Sequence, residues 1–389
     1  MYALRSKSVF VDGKFIPADL LIEGSIIIEV SKYGSYDKVI DFENRKILPG
    51  IVDLHCDGIE KEIEPRPGAS FPLDMAIIEF DKKLALQGVT TIFHGISFKD
   101  EELQKVRTNE YAREIVERIH FMQNNNTTLV DNFIHLRFEI TNHQGIPLIK
   151  ELIADKKINI LSIMDHSPGQ GQFKTLESWK KYHLNTYDLK ESEIGKYLKE
   201  KFSRRKMGYV EELTKFAKDY GIVLLSHDDD CKEKLNTLRA LGVSISEFPL
   251  SLDVAKDAKD MGMGVGMGAP NVVRGGSQSG NIAARLLIEE GVCDYLCSDY
   301  HPSSMLLSPY KLRDEINLPI EKGFEMITSI PAKLIGLNDR GTISKAKLAD
   351  IIVVDESFYP RVVFTVKKGN IIYNSYDLKS TYKKIFSIT

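Results

Sequence analysis

The chain is 389 residues long, with 52 Lys and Arg against 55 Asp and Glu, 43% hydrophobic and 28% charged residues, and a net charge of −3. That composition excludes collagen-like, low-complexity and disordered classes. The near-neutral balance gives no global attraction to nucleic acid or anionic lipid, so an anionic ligand has to be met by a local basic patch. No stretch approaches the roughly 18 uninterrupted apolar residues of a membrane span, the opening MYALRSKSVFVDGKF has no apolar signal core, and a cytoplasmic protein is expected. Cys56, Cys231, Cys293 and Cys297 lack the paired spacing of structural zinc, and Cys293 and Cys297 read as buried free thiols.

In chain order, residues 1–48 alternate apolar and polar side chains around a turn at Asp12-Gly13 and predict short strands. A strand-like run follows at 50–55. Leu73, Ile77, Phe80 and Leu84 then share one helical face, and Gly88 precedes Val-Thr-Thr-Ile-Phe. Strand-like runs recur at 132–139 and 158–165. The glycine-to-strand junction repeats at Gly221, Gly242, Gly262 and Gly291, where glycine supplies the left-handed residue that ends a helix. Eight strands separated by helical segments predict an α/β fold, a (β/α)8 TIM-type barrel over 49–339. From His55 to Asp299 is 244 residues, close to the roughly 250 typical of that barrel. Residues 340–389 hold further short strands, and the two termini, 1–48 and 340–389, are expected to meet in one small β-sandwich domain. The segment 170–208 has ten Lys or Arg against five acidic residues, with Trp179, Tyr182 and Tyr187. It reads as a solvated helical face or as a lid that clamps a polyanion.

The ionisable residues close strand-like runs, where barrel enzymes place their chemistry. His55 and Asp57 are two residues apart at the end of the first, Glu139 ends the third, and His166, His227 and Asp299 end later ones. Each alone is as readily a structural residue as a ligand. As a set they suit one or two divalent ions, probed first as zinc, with manganese or iron also compatible with mixed imidazole and oxygen donors. Two ions about 3.5–4 Å apart suit in-line displacement at phosphorus, with Glu139 as a bridge. Gly268-Ala269-Pro270-Asn271-Val272-Val273-Arg274-Gly275-Gly276-Ser277 joins backbone N–H groups, a helix start and a guanidinium in a phosphate-binding pattern. Asn271, Arg274, Gly275, Gly276 and Ser277, with Lys61, Arg66 and Arg137, form the candidate substrate-binding set. Tight turns and a surface loop are the competing readings.

The runs His55-Cys56-Asp57-Gly58-Ile59-Glu60-Lys61, Pro65-Arg66-Pro67-Gly68, Met164-Asp165-His166-Ser167-Pro168-Gly169-Gln170, Ser226-His227-Asp228-Asp229, Ser246-Glu247-Phe248-Pro249, the 268–277 loop and Ser298-Asp299-Tyr300 resemble the PhnM family of phosphonate metabolism within the amidohydrolase superfamily. The resemblance extends from residue 48 to about 302. It implies a diphosphatase that converts α-D-ribose 1-methylphosphonate 5-triphosphate to the 5-phosphate and pyrophosphate ahead of carbon–phosphorus lyase. The superfamily often has a second histidine on the first strand and a carboxylated lysine bridge, roles that fall here to Asp57 and Glu139. Its later histidines usually come from strands five and six, whereas the count here gives strands four and five, with Glu247 on the sixth. His301 and Cys56 replace more usual tyrosine and threonine.

The expected mechanism is attack of metal-activated water on the α-phosphorus, with Asp299 orienting it and accepting its proton while Arg274, Arg66 and Lys61 neutralise the departing pyrophosphate. The expected partner is a small phosphorylated sugar, with no nucleic acid and no membrane, and homo-oligomerisation is left open. A dihydroorotase-type or adenine deaminase-type amidohydrolase is the competing enzyme reading, and a metal-free scaffold the non-enzymatic one.

Overall fold

The computed structural model describes residues 1–66, 68–99, 107–167, 177, 203–277 and 280–376. Most of the basic 170–208 segment, with Trp179, Tyr182 and Tyr187, therefore lies outside the described residues.

The alternating N-terminal pattern becomes five strands: β1 (Tyr2–Val11), β2 (Lys14–Glu23), β3 (Ile26–Lys32), β4 (Ile40–Asp41) and β5 (Lys46–Pro49). They join β14 (Ile351–Asp355), β15 (Arg361–Lys367) and β16 (Asn370–Asn374) in one sheet of order β16-β15-β14-β5-β1-β2-β3, with β4 against β1. An Ile26–Leu348 bridge draws the β3 edge back to the residues before β14. The sandwich expected of the termini is thus one sheet rolled around a shared core, in which Leu4, Leu20, Ile22 and Ile47 pack with Val353 and Phe364. The strand Lys46–Pro49 belongs to this sheet, and the barrel begins directly after Gly50.

The barrel strands are β6 (Ile51–Cys56), β7 (Val89–Phe98), β8 (Asp131–Glu139), β9 (Ile160–Met164), β10 (Val223–His227), β11 (Ile245–Glu247), β12 (Gly264–Gly268) and β13 (Tyr295–Cys297). They pair in parallel in strict sequence order. Closure comes at the C-terminal rim, where Asp57 N–H donates to the Asp299 carbonyl at 2.7 Å and Asp299 N–H to that of His55 at 2.9 Å. The helices follow from their apolar spacing. In Asn109–Asn124, Ala112, Ile115, Val116, Ile119 and Met122 are buried at i, i+3, i+4 steps, and Thr108 caps the start by accepting from Tyr111 N–H. Gly88, Gly221, Gly242, Gly262 and Gly291 have φ between 70° and 97°, the left-handed residue that turns each helix back into its strand.

Inside the barrel, Val52, Leu54, Phe93, Ile160, Leu225, Ile245 and Tyr295 form an apolar plug beneath the polar residues of the rim. All four cysteines are unpaired; Cys56 and Cys297 are buried, and Cys293 is half-buried. Among the described residues, no helix is long and apolar enough to cross a membrane.

Candidate metal-dependent active site

Strand periodicity gathers the chemistry. On β8, His135, Arg137 and Glu139 are spaced by two and face the barrel interior together. On β6 the pairing with β7 slips between Asp53 and Cys56. This irregularity aims His55 inward although Leu54 beside it also packs into the inner plug.

His55, Glu139, His166, His227, Asp228 and Glu247 are all buried at the C-terminal mouth. Two groups of three among the described residues bring donor atoms within 4.8 Å of one another: His166, His227 and Asp228, and His55, His227 and Glu247. In the first, Asp228 Oδ2 lies 3.1 Å from His227 Nδ1 and 3.6 Å from His166 Nε2. Ligand atoms about 2.0–2.1 Å from a tetrahedral ion stand roughly 3.3 Å apart, so this triangle has the right size for one cation.

Carboxylates orient the imidazoles. Glu139 Oε2 meets His166 Nδ1 at 2.7 Å, and Glu247 Oε2 meets His55 Nδ1 at 2.9 Å; such contacts fix the tautomer that leaves Nε2 as a donor for metal. Glu247 is itself held by Tyr295, whose hydroxyl donates to Oε1 at 2.8 Å. The Tyr295 ring occupies the space that a side chain at Gly266 would need, since a Cβ there would stand 2.3 Å from its Cζ. His55 Nε2 and His135 Nε2 are buried without a hydrogen-bond partner, as unprotonated donor atoms awaiting an acceptor of electrons would be. The donor set fits a divalent ion: imidazole nitrogens and carboxylate oxygens, buried and preoriented.

Electrostatics agree. Burial, with the nearby Arg137 and His227 charges, holds the His55 imidazole well below its ordinary value, and burial takes His135 down to about 3, so both are neutral at pH 7. Burial opposes ionisation of Asp228, but the His227 and His166 imidazoles outweigh it and hold the carboxyl well below the usual range. Asp299 moves the other way, pushed well up by burial and then by the Asp57 charge.

The pocket above this cluster has a volume of about 450 Å³ and is lined by Asp57, Arg137, His166, His227, Asp228 and Asp299. Lys99, Arg107, Arg274, Gly276 and Ser277 line it as well. Asp57 and Asp299 stand around the two donor triads rather than within them, and Asp57 is paired with Arg137 at 3.3 Å. Arg274 donates to the Tyr300 hydroxyl at 3.2 Å. Asn271 lines the pocket, but its amide is engaged with the loop: Nδ2 donates to the Ile282 carbonyl at 3.1 Å and Oδ1 accepts from Ala284 N–H at 2.9 Å. Gly275 turns the chain at φ 82° and is not part of the lining.

Lys61 and Arg66 are both exposed, and neither lines the pocket. Ile59 and Ile63 of the short helix Gly58–Ile63 are buried, which turns Lys61, midway between them, to the opposite face. Lys99 and Arg107 take up the rim instead. They escape a sequence reading that ends the second strand after Phe93, because β7 continues to Phe98. Asp228 is the other omission. It follows His227 in Ser-His-Asp-Asp, and only its left-handed φ of 53° brings its carboxylate back beside the imidazole.

An eight-stranded barrel with this mouth is the architecture of the amidohydrolases, and residues 181–374 match the Amidohydrolase family model. A solved amidohydrolase superposes with a TM-score of 0.65 at 13% identity, covering 97% of this chain and 100% of that one. N-acetylglucosamine-6-phosphate deacetylase from Pasteurella multocida superposes with a TM-score of 0.62 at 12% identity, covering 96% and 100%. More specifically, the chain is 32% identical over 356 residues, 90% of its length and 94% of the relative, to alpha-D-ribose 1-methylphosphonate 5-triphosphate diphosphatase of Escherichia coli strain K12. It belongs to that diphosphatase family, PhnM, within the amidohydrolases, and is a metal-dependent hydrolase.

Proposed function

We propose that the chain hydrolyses α-D-ribose 1-methylphosphonate 5-triphosphate to the 5-phosphate and pyrophosphate. The observation that carries this reading is the pairing, in one pocket, of the imidazole–carboxylate cluster with the cations Arg137, Lys99, Arg107 and Arg274. A polyphosphate spans such a pocket with its α-phosphorus over the cluster and its outer phosphates on the rim.

A divalent ion held by the cluster supplies acidified water and charge on a phosphoryl oxygen. His166, His227 and Asp228 would hold it, with Glu139 fixing the ring of His166. Asp299 closes β13 and reaches the same pocket, placed to orient the attacking water and take its proton. As the new P–O bond forms at the α-phosphorus, the α–β anhydride bond breaks. Arg274, Lys99 and Arg107 then neutralise the charge that gathers on the leaving pyrophosphate. Gly276 and Ser277 line the same pocket. The expected setting is phosphonate catabolism in the cytoplasm.

The test is incubation with the ribose triphosphate, ATP and dihydroorotate, followed by phosphorus NMR and ultraviolet absorbance. Pyrophosphate from the ribose triphosphate is the expected result. Turnover of dihydroorotate without pyrophosphate release from either triphosphate sinks the reading in favour of a cyclic-amide hydrolase.

A further inference from the structure

Asp228 owes its place beside His166 and His227 to its backbone. Its φ of 53° is a left-handed conformation that few residues other than glycine adopt, Asp and Asn most readily among them. The residues that hold this turn lie behind the barrel wall. Leu225 and Ile245 pack in the inner plug, so Ser226 and Ser246, one residue further along the paired strands β10 and β11, face outward. Both hydroxyls donate to Asp229 Oδ2, and Asp229 is fully buried. Lys234 Nζ, from the helix Lys232–Ala240, stands 3.3 Å from the other carboxylate oxygen, Oδ1. The same ammonium donates to the carbonyls of His227 and Asp228, at 3.1 Å each.

We infer that Lys234 is a positioning residue of the candidate centre: from outside the barrel it holds the His227–Asp228 turn in the conformation that brings the Asp228 carboxylate beside both imidazoles. The inference rests on reading the cluster as a divalent-cation centre.

The geometry suits that role. The two carbonyls belong to the peptide planes on either side of Asp228, so fixing both fixes φ and ψ of that residue. An ammonium has three donors and no acceptor, and three oxygens surround this one. The N–H side of the turn is tied separately, Asp228 N–H donating to the Glu247 carbonyl at 3.0 Å. The Lys234 side chain is only 15% exposed, a placement a charge keeps when an opposite charge matches it, as Asp229 does. Neither Lys234 nor Asp229 lines the pocket, so any effect on metal reaches it through His227 and Asp228.

The sign of the effect provides the test. Removing a positive charge near a cation site should by Coulomb attraction alone tighten metal binding, whereas releasing the turn should weaken it. In competition against a chromophoric chelator, Lys234→Met on the full chain should bind Zn²⁺ about 10–100-fold more weakly than wild type, the range for groups that orient ligands. Lys259→Met is the control: Lys259 pairs with Asp294 at 2.7 and 2.8 Å just before β13, at the other end of the barrel, and its loss should leave Zn²⁺ affinity unchanged. Unchanged or tighter binding by a Lys234→Met chain of native circular dichroism overturns the inference, as do equal losses in the two variants. If Lys234→Met does not fold with Asp229 left unmatched, Lys234→Met combined with Asp229→Asn removes both charges and is held to the same outcomes. A wild-type chain that binds no Zn²⁺ overturns the metal-centre reading as well, which separates the two failures.

Discussion

Glu139 grips His166 at two points, accepting the backbone N–H of that residue on Oε1 at 3.0 Å and meeting its ring Nδ1 with Oε2 at 2.7 Å. A carboxylate used this way positions an imidazole more than it binds a cation. Glu139→Gln should therefore lower affinity for Zn²⁺ by about 10–100-fold, the range for such supporting groups, whereas His166→Ala should lose the ion outright. Competition against a chromophoric chelator separates the two, and equal losses would make Glu139 a ligand.

Asp228 is the residue whose loss should be most telling for the triangle, because it faces both His166 and His227. Asp228→Ala should leave a folded barrel that retains less than about a tenth of an ion per chain after dialysis. Elemental analysis reads this directly. Wild-type metal content in that variant would shift the centre to the His55 side.

How much of this was legible beforehand follows from where each residue stands in its strand. His55, His166 and His227 end or follow apolar runs and were readable as rim residues, and the order of the eight strands follows from the helix–glycine–strand junctions. The strand count that sets His166 after the fourth and His227 on the fifth is the count the structure has. Glu247 ends a strand of three residues, too short for alternation to say that its side chain turns inward. Asp228 depends on a backbone angle, and Lys61 on which face of a one-and-a-half-turn helix packs down; neither leaves a pattern in composition.

Asp299 should separate chemistry from binding. It lines the pocket but belongs to neither donor triad, so Asp299→Ala should cut kcat by about 10²–10⁴-fold, the range for a lost general base, while metal content falls only partly. Single-turnover kinetics alongside elemental analysis provide both readouts. Unchanged turnover removes Asp299 from the mechanism.

Arg274 lines the same pocket, where its guanidinium donates to the Tyr300 hydroxyl. Arg274→Ala should reduce kcat/KM for a triphosphate by about 10–100-fold, equivalent to roughly 1.4–2.7 kcal/mol of transition-state stabilisation. Lys61→Ala, outside the pocket, should change it less than about twofold. Steady-state kinetics on both variants check the contrast, and a large loss at Lys61 would contradict its exposed placement.

At the far end of the barrel, buried Asp131 opens β8 and receives Arg340 at 2.6 Å and Lys367 and Lys368 at 2.7 Å each, tying the barrel to the C-terminal strands of the rolled sheet. Burial works against its ionisation, but the Lys367 charge and the hydrogen bonds from Lys367 and Lys368 prevail, and the carboxyl is held far below the usual range. A depressed acid contributes stability that is complete above its unfolded pKa and disappears as pH falls toward the folded one. The contribution should thus be intact at pH 7 and erode from about pH 4 downward. Asp131→Asn strands three cations around a neutral amide and should cost about 3–5 kcal/mol at pH 7. Urea unfolding of both chains from pH 7 to pH 3 is the check: the gap between them should narrow only at the acid end, and a gap that stays constant with pH would mean that Asp131 acts through packing instead of charge.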